Sequence, residues 1–365
     1  MLMGYLNNAK TINFNKIIID VTTRCNLECP VCYREKNSLQ DLPFELLKRL
    51  ALKYRGIIIS LCGGEPTVRE DLPEIIELFA KRNTVFLITN GIKLVDYDYL
   101  RNLKRKGLRY ISFSLNGLSD DVYKKINGKP LLDLKLEALN NIKKAGIKTI
   151  MSVLLVKGIN ENQISSILDY CLENRDFIEE LRIRTMAPLG KYIHNEKYSI
   201  PDLLEIVCNE INIKKEDALK EFRLKEQINS LFRKEIFRLM SCSFDLHLRK
   251  YNDKILPVGH NMEITEIESS RFEEIFSLFK MIKAYGIKMT TAGFFKTFFR
   301  YEKKPWIHSD NIFKIGLRSW PDKDDIDMEE NKKCQTGYYL DGNVVPFCYA
   351  NILIEGKHNN FVREI

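Results

Sequence analysis

Thr22-Thr23-Arg24-Cys25-Asn26-Leu27-Glu28-Cys29-Pro30-Val31-Cys32-Tyr33 is the stretch on which the fold turns, and it directly follows the short β-rich run Ile17–Asp20. Its three cysteines stand at i, i+4 and i+7. Three thiolates at that spacing in a loop can each bind one iron of a 4Fe–4S cluster, leaving the fourth iron open for chemistry. The other readings of the triplet are a zinc site or three structural cysteines. A structural zinc takes four closed ligands, and no fourth cysteine or histidine lies nearby, the first histidine being His194.

Outward from the triplet, Lys16 to Met186 alternates short β-rich runs with longer amphipathic ones, the pattern of parallel strands joined by crossover helices. Strands are expected at Ile17–Asp20, Gly56–Leu61, Thr84–Thr89, Leu108–Leu115, Thr149–Val156 and Leu181–Met186. Helices are expected near Pro43–Tyr54, Asp71–Lys81, Tyr97–Lys106, Leu132–Ala145 and Glu161–Asn174. In Leu132–Ala145, Leu132, Leu136, Leu139 and Ile142 recur at helical spacing and form a stripe to lay on a sheet. Six such units predict an α/β fold, a six-unit partial (β/α) barrel spanning residues 11–195. A helical C-terminal extension is expected over 196–330, carried by Asp202–Met240 and Arg271–Tyr285 around a strand-like or loop segment at Tyr251–Glu268. The aromatic run Phe294–Phe299 reads as core. A small cysteine-bearing C-terminal hairpin is expected over 331–365, turning at Asp341-Gly342.

The composition narrows the class. With 365 residues, 45% hydrophobic and 29% charged, the chain is long enough and apolar enough for a large folded core, which excludes a disordered or collagen-like protein. No run approaches the roughly 18 apolar residues of a spanning helix, and no basic-then-apolar leader opens the sequence, so a cytoplasmic protein, not a transmembrane one, is expected. The net charge of +8 is scattered through mixed runs such as Lys214-Lys215-Glu216-Asp217. It reads as solvated helix faces, with no basic stripe interleaved with aromatics to mark a nucleic-acid partner. Nine cysteines in such a chain point to metal or reduced thiols more than to disulfides.

At the expected end of the second strand stands Cys62-Gly63-Gly64-Glu65-Pro66-Thr67. Two glycines let backbone approach a ligand, their amides and carbonyls become available to it, and a fixed carboxylate can accept from an ammonium group. The triplet, this turn and the six strand–helix units together resemble the radical S-adenosylmethionine superfamily over roughly residues 11–190. In that family the open iron chelates the amino and carboxylate groups of S-adenosylmethionine, and an electron from the cluster cleaves the sulfonium to a 5′-deoxyadenosyl radical. The resemblance implies Cys25, Cys29 and Cys32 as the catalytic cluster ligands, and Gly63, Gly64 and Glu65 as the holders of the methionyl amine. It further places Asn90 near the cofactor, Ser114 and Asn116 near the ribose, and the segment from Leu155 to Asn160 against the adenine. Asn116 stands where the family often has Asp. Val31 stands where an aromatic residue usually precedes the third cysteine, with Tyr33 just after it.

Within the superfamily, the runs Gly63–Pro73, Leu132–Ala138 and Lys157–Asn160 and the tail Cys334…Asp341–Cys348…Asn351 resemble the archaeal tetraether lipid synthase and dihydropterin methyltransferase group. The group's cysteine-rich segment ahead of the first strand is not matched, and its cysteine-rich middle reads Leu256-Pro257-Val258-Gly259-His260 here. The resemblance implies an oxygen-sensitive oxidoreductase or transferase. It would abstract hydrogen from an unactivated or ring carbon, for carbon–carbon bond formation or methylation of a lipid or pterin-like substrate. A low-potential donor such as flavodoxin or ferredoxin would supply the electron. Cys334, Cys348 and Cys242, with His260 as a fourth ligand, form the candidate set for an auxiliary iron–sulfur cluster; the other reading is a cap with reduced thiols. Cys62, Cys171 and Cys208 read as core. Two other functions stay open. One is a radical maturase acting on a peptide, though too few residues precede the first strand for a peptide-binding winged domain. The other is a non-catalytic iron–sulfur electron carrier or redox sensor, against which Glu65 argues.

Overall fold

The computed structural model describes residues 14–33, 40–186, 198–232, 239–251, 254–260, 312–320 and 327–350. The helix expected at Arg271–Tyr285 and the aromatic run Phe294–Phe299 lie outside them. By chain contacts the protein divides into two units, one holding Met1–Glu179, Arg184–Lys197 and Ser319–Ile365, the other Glu180–Ile183 and Tyr198–Arg318.

In the first unit β1 (Lys16–Thr22), β2 (Ile58–Gly63), β3 (Thr84–Thr89), β4 (Tyr110–Ser114) and β5 (Lys148–Leu154) lie side by side in chain order, all parallel. The connections carry α1 (Phe44–Lys53), α2 (Leu72–Ala80), α3 (Tyr97–Arg105), α4 (Asp120–Asn127), α5 (Leu132–Ala145) and α6 (Ile164–Glu173), and β6 (Ile178–Arg184) follows. This is the expected α/β partial barrel of six units. Thr84–Thr89 and Leu132–Ala145 fall on the expected residues, and the other boundaries shift by a few positions. The helix α4 was not anticipated.

Strand side chains alternate between two faces. Ile17, Ile19, Val21, Ile59, Leu61, Val85, Leu87, Ile111 and Phe113 are at most 1% exposed and form the helix-covered face. The alternate positions Asp20, Ser60, Cys62, Ser112, Ser114 and Ser152 are polar, and the strand register sets Asp20 beside Cys62 and Ser114 beside Ser152. One face is apolar, and the other mixes these residues with Ile18, Phe86 and Ile150, which are buried as well.

The barrel stays open because β1 takes another neighbour. β10 (Thr336–Leu340) pairs parallel with β1, Lys16 opposite Thr336, and β11 (Asn343–Pro346) pairs antiparallel with β10. Asp341 and Gly342 both have positive φ, 47° and 86°, the geometry of a two-residue turn between Leu340 and Asn343. The tail is thus the expected hairpin, and it extends the sheet.

The second unit contains α7 (Ile200–Glu210), α8 (Lys215–Phe232), β7 (Ser243–Tyr251), β8 (Lys254–Pro257) and β9 (Ile312–Arg318). Ser199 and Asp202 form a reciprocal capping box at the start of α7. The expected single helical stretch is two helices followed by an antiparallel hairpin of β7 and β8, with β9 on the other side of β7. Buried charges lock the strands. Glu180 accepts from Arg182 Nε at 2.8 Å and pairs with Lys314 at 3.2 Å, while Asp245 pairs with Arg318 at 2.7 Å. On α8, Glu221 meets Lys225 and, at 2.8 Å, His247 Nδ1. Burial pushes the Glu180 carboxyl up, but Arg182, Lys314 and Arg318 outweigh it and bring it to about 2. Burial likewise raises Glu221, and His247 and Lys225 overcome it, again to about 2.

Both folded values lie below the ordinary Glu value near 4.5. The stabilisation is therefore present above that pH and is lost as pH falls through about 2. At one pK unit per ~1.4 kcal/mol, each carboxylate contributes on the order of 3 kcal/mol near neutrality. Acid titration followed by circular dichroism is expected to show this unit melting between pH 4.5 and 2, with a shallower slope in Glu221→Gln. An unchanged slope in that variant would contradict the assignment.

Candidate functional site

The cysteine loop begins at a bulge. Asp20 pairs with Cys62 but Thr22 with Gly63, so β1 slips one residue at its end and swings the chain outward. Two arginines hold that exit. Arg24 forks onto Asp41, Nε to Oδ1 at 3.0 Å and Nη2 to Oδ2 at 2.6 Å, and the pairing lowers the Asp41 carboxyl. Arg69, buried, donates to the Val21 and Leu42 carbonyls at 2.6 and 2.8 Å and forks onto Asp71. Sequence reasoning quoted Arg69 within the motif without giving it a role.

Gly63 and Gly64 serve the same loop. Gly63 has φ +147°, and a Cβ there would lie 2.1 Å from the Thr22 carbonyl oxygen; one on Gly64 would lie 2.3 Å from that of Arg24. The Gly64 N–H donates to Thr22 O at 2.9 Å and the Glu65 N–H to Arg24 O at 2.8 Å. The expectation that the amides of this turn are available to a ligand is therefore corrected: those of Gly64 and Glu65 bind the cysteine loop to the end of β2.

Glu65 is 1% exposed, and its carboxylate is a knot. Oε1 accepts from Thr67 N at 3.1 Å, Thr67 Oγ1 at 2.7 Å and Thr89 Oγ1 at 2.7 Å, and Oε2 accepts from Asn90 N at 2.6 Å. It caps the 3-10 turn Pro66–Val68 and joins the ends of β2 and β3. Asn90 carries the link onward, its Nδ2 donating to Asn26 Oδ1 of the cysteine loop at 2.8 Å.

The three thiols sit half-buried on this loop. Cys25 Sγ accepts from the Leu27 N–H at 3.4 Å, Cys29 Sγ from Asn127 Nδ2 at 3.2 Å, and the Cys32 N–H donates to Cys29 O at 3.2 Å. Burial pushes Cys25 up to about 11 and raises Cys29. Neutral thiols are thus favoured until a metal displaces their protons. Among the described residues no three His, Cys, Asp or Glu side chains are already gathered as a metal site, this loop included. The donor set nonetheless suits an iron–sulfur cluster: three sulfurs on one short loop, with N–H groups aimed at two of them. Gathering them is a step coupled to metal binding.

The remaining expected residues border the strand ends. Ser114 ends β4, and its carbonyl accepts from Lys135 Nζ at 2.8 Å. Asn116 Oδ1 accepts from the Leu154 N–H at 3.0 Å, so its side chain joins β4 to β5. Asn160 spends its side chain on Val156 N, Asn116 O and Leu154 O, the local-structure reading of that residue. Leu155 is 1% exposed, and its N–H donates to Arg184 O. The Tyr33 and Trp320 rings meet at a tilt of 40° with centroids 5.9 Å apart, and Trp320 lies 4.8 Å from Phe347, an aromatic wall beside the third cysteine. Cys334 Sγ donates to Thr336 O at 3.5 Å. Cys334 and Cys348 belong to the first unit and Cys242 to the second, where His260 Nδ1 is bound to Asp217 Oδ2 at 2.7 Å. Cys171 and Cys208 are buried as expected, and Cys62, partly buried, packs against the apolar cluster of Ile18, Tyr338, Val345, Tyr349 and Ala350.

Two side chains at this site escaped sequence reasoning. Asn127 lies on the unanticipated α4. Lys135, 1% exposed, takes a place in the buried stripe of α5 that had been assigned to Leu132 and Leu136, both of which are half-exposed. A polar residue gives no apolar signal, so periodicity passed over it.

Residues 19–171 match the family model described as the Radical SAM superfamily. A 7,8-dihydro-6-hydroxymethylpterin dimethyltransferase of Methanocaldococcus jannaschii is 37% identical over 204 residues, 52% of this chain and 40% of that protein. A "Probable GTP 3',8-cyclase" of Thermococcus kodakarensis is 29% identical over 194 residues, 50% of this chain and 61% of that one. Among solved structures, Streptococcus suis SuiB bound to S-adenosylmethionine aligns with a TM-score of 0.49 at 19% identity, covering 60% of this chain and 51% of that one. The match thus spans about half the length of these relatives.

Proposed function

From a chain that carries a radical S-adenosylmethionine domain over residues 19–171, a family that uses a 4Fe–4S cluster and S-adenosylmethionine, we propose an enzyme that abstracts hydrogen from a ring carbon of a pterin-like substrate. The abstraction prepares that carbon for methylation or carbon–carbon bond formation. The observation that carries the reading is the way the cysteine loop is fastened to the Gly63-Gly64-Glu65 turn, through Gly64 N–H to Thr22 O and Glu65 N–H to Arg24 O. It fixes the entry of the cysteine loop to a turn at a strand's carboxyl end, where sites on such sheets assemble.

Cys25, Cys29 and Cys32 would hold three irons, and the carbonyls of Gly63 and Gly64 would accept from the methionyl ammonium. When bound, the cluster supplies one electron that breaks a carbon–sulfur bond of S-adenosylmethionine, giving methionine and a deoxyadenosyl radical. The chain's own part is orientation. Glu65 fixes the turn, Asn90 ties it to Asn26, Asn127 donates to the Cys29 sulfur, and Arg24 and Arg69 hold the loop's entry. The 37% identity to a pterin dimethyltransferase favours pterin over lipid. The electron would come from a low-potential donor such as flavodoxin or ferredoxin.

The test is anaerobic reconstitution, reduction with dithionite, and assay of 5′-deoxyadenosine with and without a dihydropterin. Deoxyadenosine that rises with the pterin, with deuterium moving from a ring-labelled pterin into it, is the expected result. No deoxyadenosine and no S-adenosylmethionine binding by calorimetry would leave an iron–sulfur electron carrier instead.

A further inference from the structure

Lys135 lies on the buried side of α5 with 1% of its surface exposed. Its ammonium donates to the carbonyl of Asn90 at 2.5 Å and of Ser114 at 2.8 Å, the ends of β3 and β4. The rings of Phe113 and Tyr123 flank it, with centroids 5.2 and 5.8 Å away. Among the described residues no carboxylate lies within ion-pair distance of it. A buried ammonium held only by neutral dipoles and π faces is costly and calls for a compensating negative charge.

The surrounding contacts indicate where that charge sits. Asn90, whose carbonyl Lys135 holds, donates its N–H to Glu65 and its side-chain amide to Asn26, the neighbour of Cys25. Tyr123, whose ring Lys135 faces, is one helical turn from Asn127, which donates to the Cys29 sulfur. Lys135 is therefore linked to the cysteine loop on two sides, through Asn90 on one and through Tyr123 and Asn127 on the other. Burial draws its ammonium down to about 8, while Glu65 and Cys29 pull the other way.

We propose that Lys135 is the fixed counter-charge of the cluster held by Cys25, Cys29 and Cys32, and that it sets the potential at which that cluster is reduced. The inference rests on the cluster reading above. A 4Fe–4S core bound by three thiolates is anionic, and reduction adds one more negative charge. A cation immobilised in a low-dielectric wall stabilises the reduced form more than the oxidised one. Lys135 is thus a positioning residue that acts through its field and through the two strand ends it holds.

Two variants separate charge from tethering. Lys135→Met removes both; Lys135→Gln removes the charge but keeps N–H donors for the Asn90 and Ser114 carbonyls. Midpoint potentials of the reconstituted clusters, read from the reduced-cluster EPR signal in a dithionite-poised titration, are compared with iron content and thermal melting. Both variants are expected to hold wild-type iron and to be reduced at a more negative midpoint. A tenfold smaller reduced-to-oxidised ratio at fixed potential corresponds to about 59 mV for one electron. A wild-type midpoint in iron-replete Lys135→Gln would assign the effect to tethering and overturn the inference, as would an unchanged midpoint in both. Loss of iron from both folded variants would also overturn it, making Lys135 a residue of cluster assembly. A wild type that takes up no iron would remove the cluster reading itself, and this inference with it.

Discussion

Replacing Cys25, Cys29 and Cys32 together with alanine is expected to take iron and acid-labile sulfide from about four per chain to near zero, and deoxyadenosine formation below detection. The fold is expected to survive. The three side chains are half-buried and sit in a loop whose anchors are elsewhere: Arg24 on Asp41, Arg69 on the Val21 and Leu42 carbonyls, and the Gly64 and Glu65 amides on β1's exit. Burial also raises the thiols of Cys25 and Cys29, so no buried ion is lost with those two. Far-ultraviolet circular dichroism should therefore match the wild type while the cluster's visible absorbance is gone. Cys171→Ala and Cys208→Ala form the opposite control. Those thiols are buried at 0% and 2% exposure in helices α6 and α7, so their loss should lower the melting temperature and leave iron content alone. Iron at the wild-type level in the triple variant would move the metal to other cysteines and end the loop assignment.

Glu65→Ala is expected to be the most destabilising single substitution at the site. It removes the acceptor for Thr67 N, Thr67 Oγ1, Thr89 Oγ1 and Asn90 N at once, in a position 1% exposed. The threonine hydroxyls can turn to new acceptors, but the two backbone N–H groups cannot. At about 1–3 kcal/mol for each orphaned donor, the loss is about 4 kcal/mol, and the melting temperature falls by roughly 8–16 °C for a unit of this size. Glu65→Gln keeps one acceptor oxygen and turns the other into a donor facing Asn90 N–H or a threonine, so it should lose about half as much. Near-equal melting of wild type and Glu65→Ala would show that the carboxylate is not the knot between β2 and β3. Equal stability with lost S-adenosylmethionine binding would return it to the ligand-holding role that the motif suggests.

The legibility of the sequence followed the physical signal in each segment. β3 and α5 were placed to the residue because long apolar runs bounded by Asn and Gly carry both period and stop signals. β7 and β9 fall within the span 196–330 expected as a helical extension, although Phe244, Leu246 and Leu248 alternate with Asp245, His247 and Arg249 along β7. Asp245 pairs with Arg318 and His247 with Glu221, partnerships that no single-sequence pattern reveals. The short α4 was missed because its apolar positions Val122, Tyr123 and Ile126 are diluted by Lys and Asp.

At the site, the cysteines and the glycine turn were readable from type and spacing alone. What they are fastened to was not. That Gly64's amide belongs to Thr22, that Asn90 reaches Asn26 across 64 residues, and that Lys135 is buried are products of tertiary approach between strand ends. The glycine motif read as a ligand cradle is, in its amides, a fastening for the loop that would hold the metal.

The pairing of β1 with β10 also has a meaning in time. Its partners are separated by 320 residues at Asn15 and Gln335. A ribosome working at about 5–20 residues per second needs about 16 to 64 s to bring the second strand to the first. For that interval the strand that launches the cysteine loop has one edge bare, and the loop itself is already synthesised and accessible. Iron delivery and sheet completion are thus separable events in the life of a nascent chain, and the order in which they occur is set by how soon a cluster donor finds the loop.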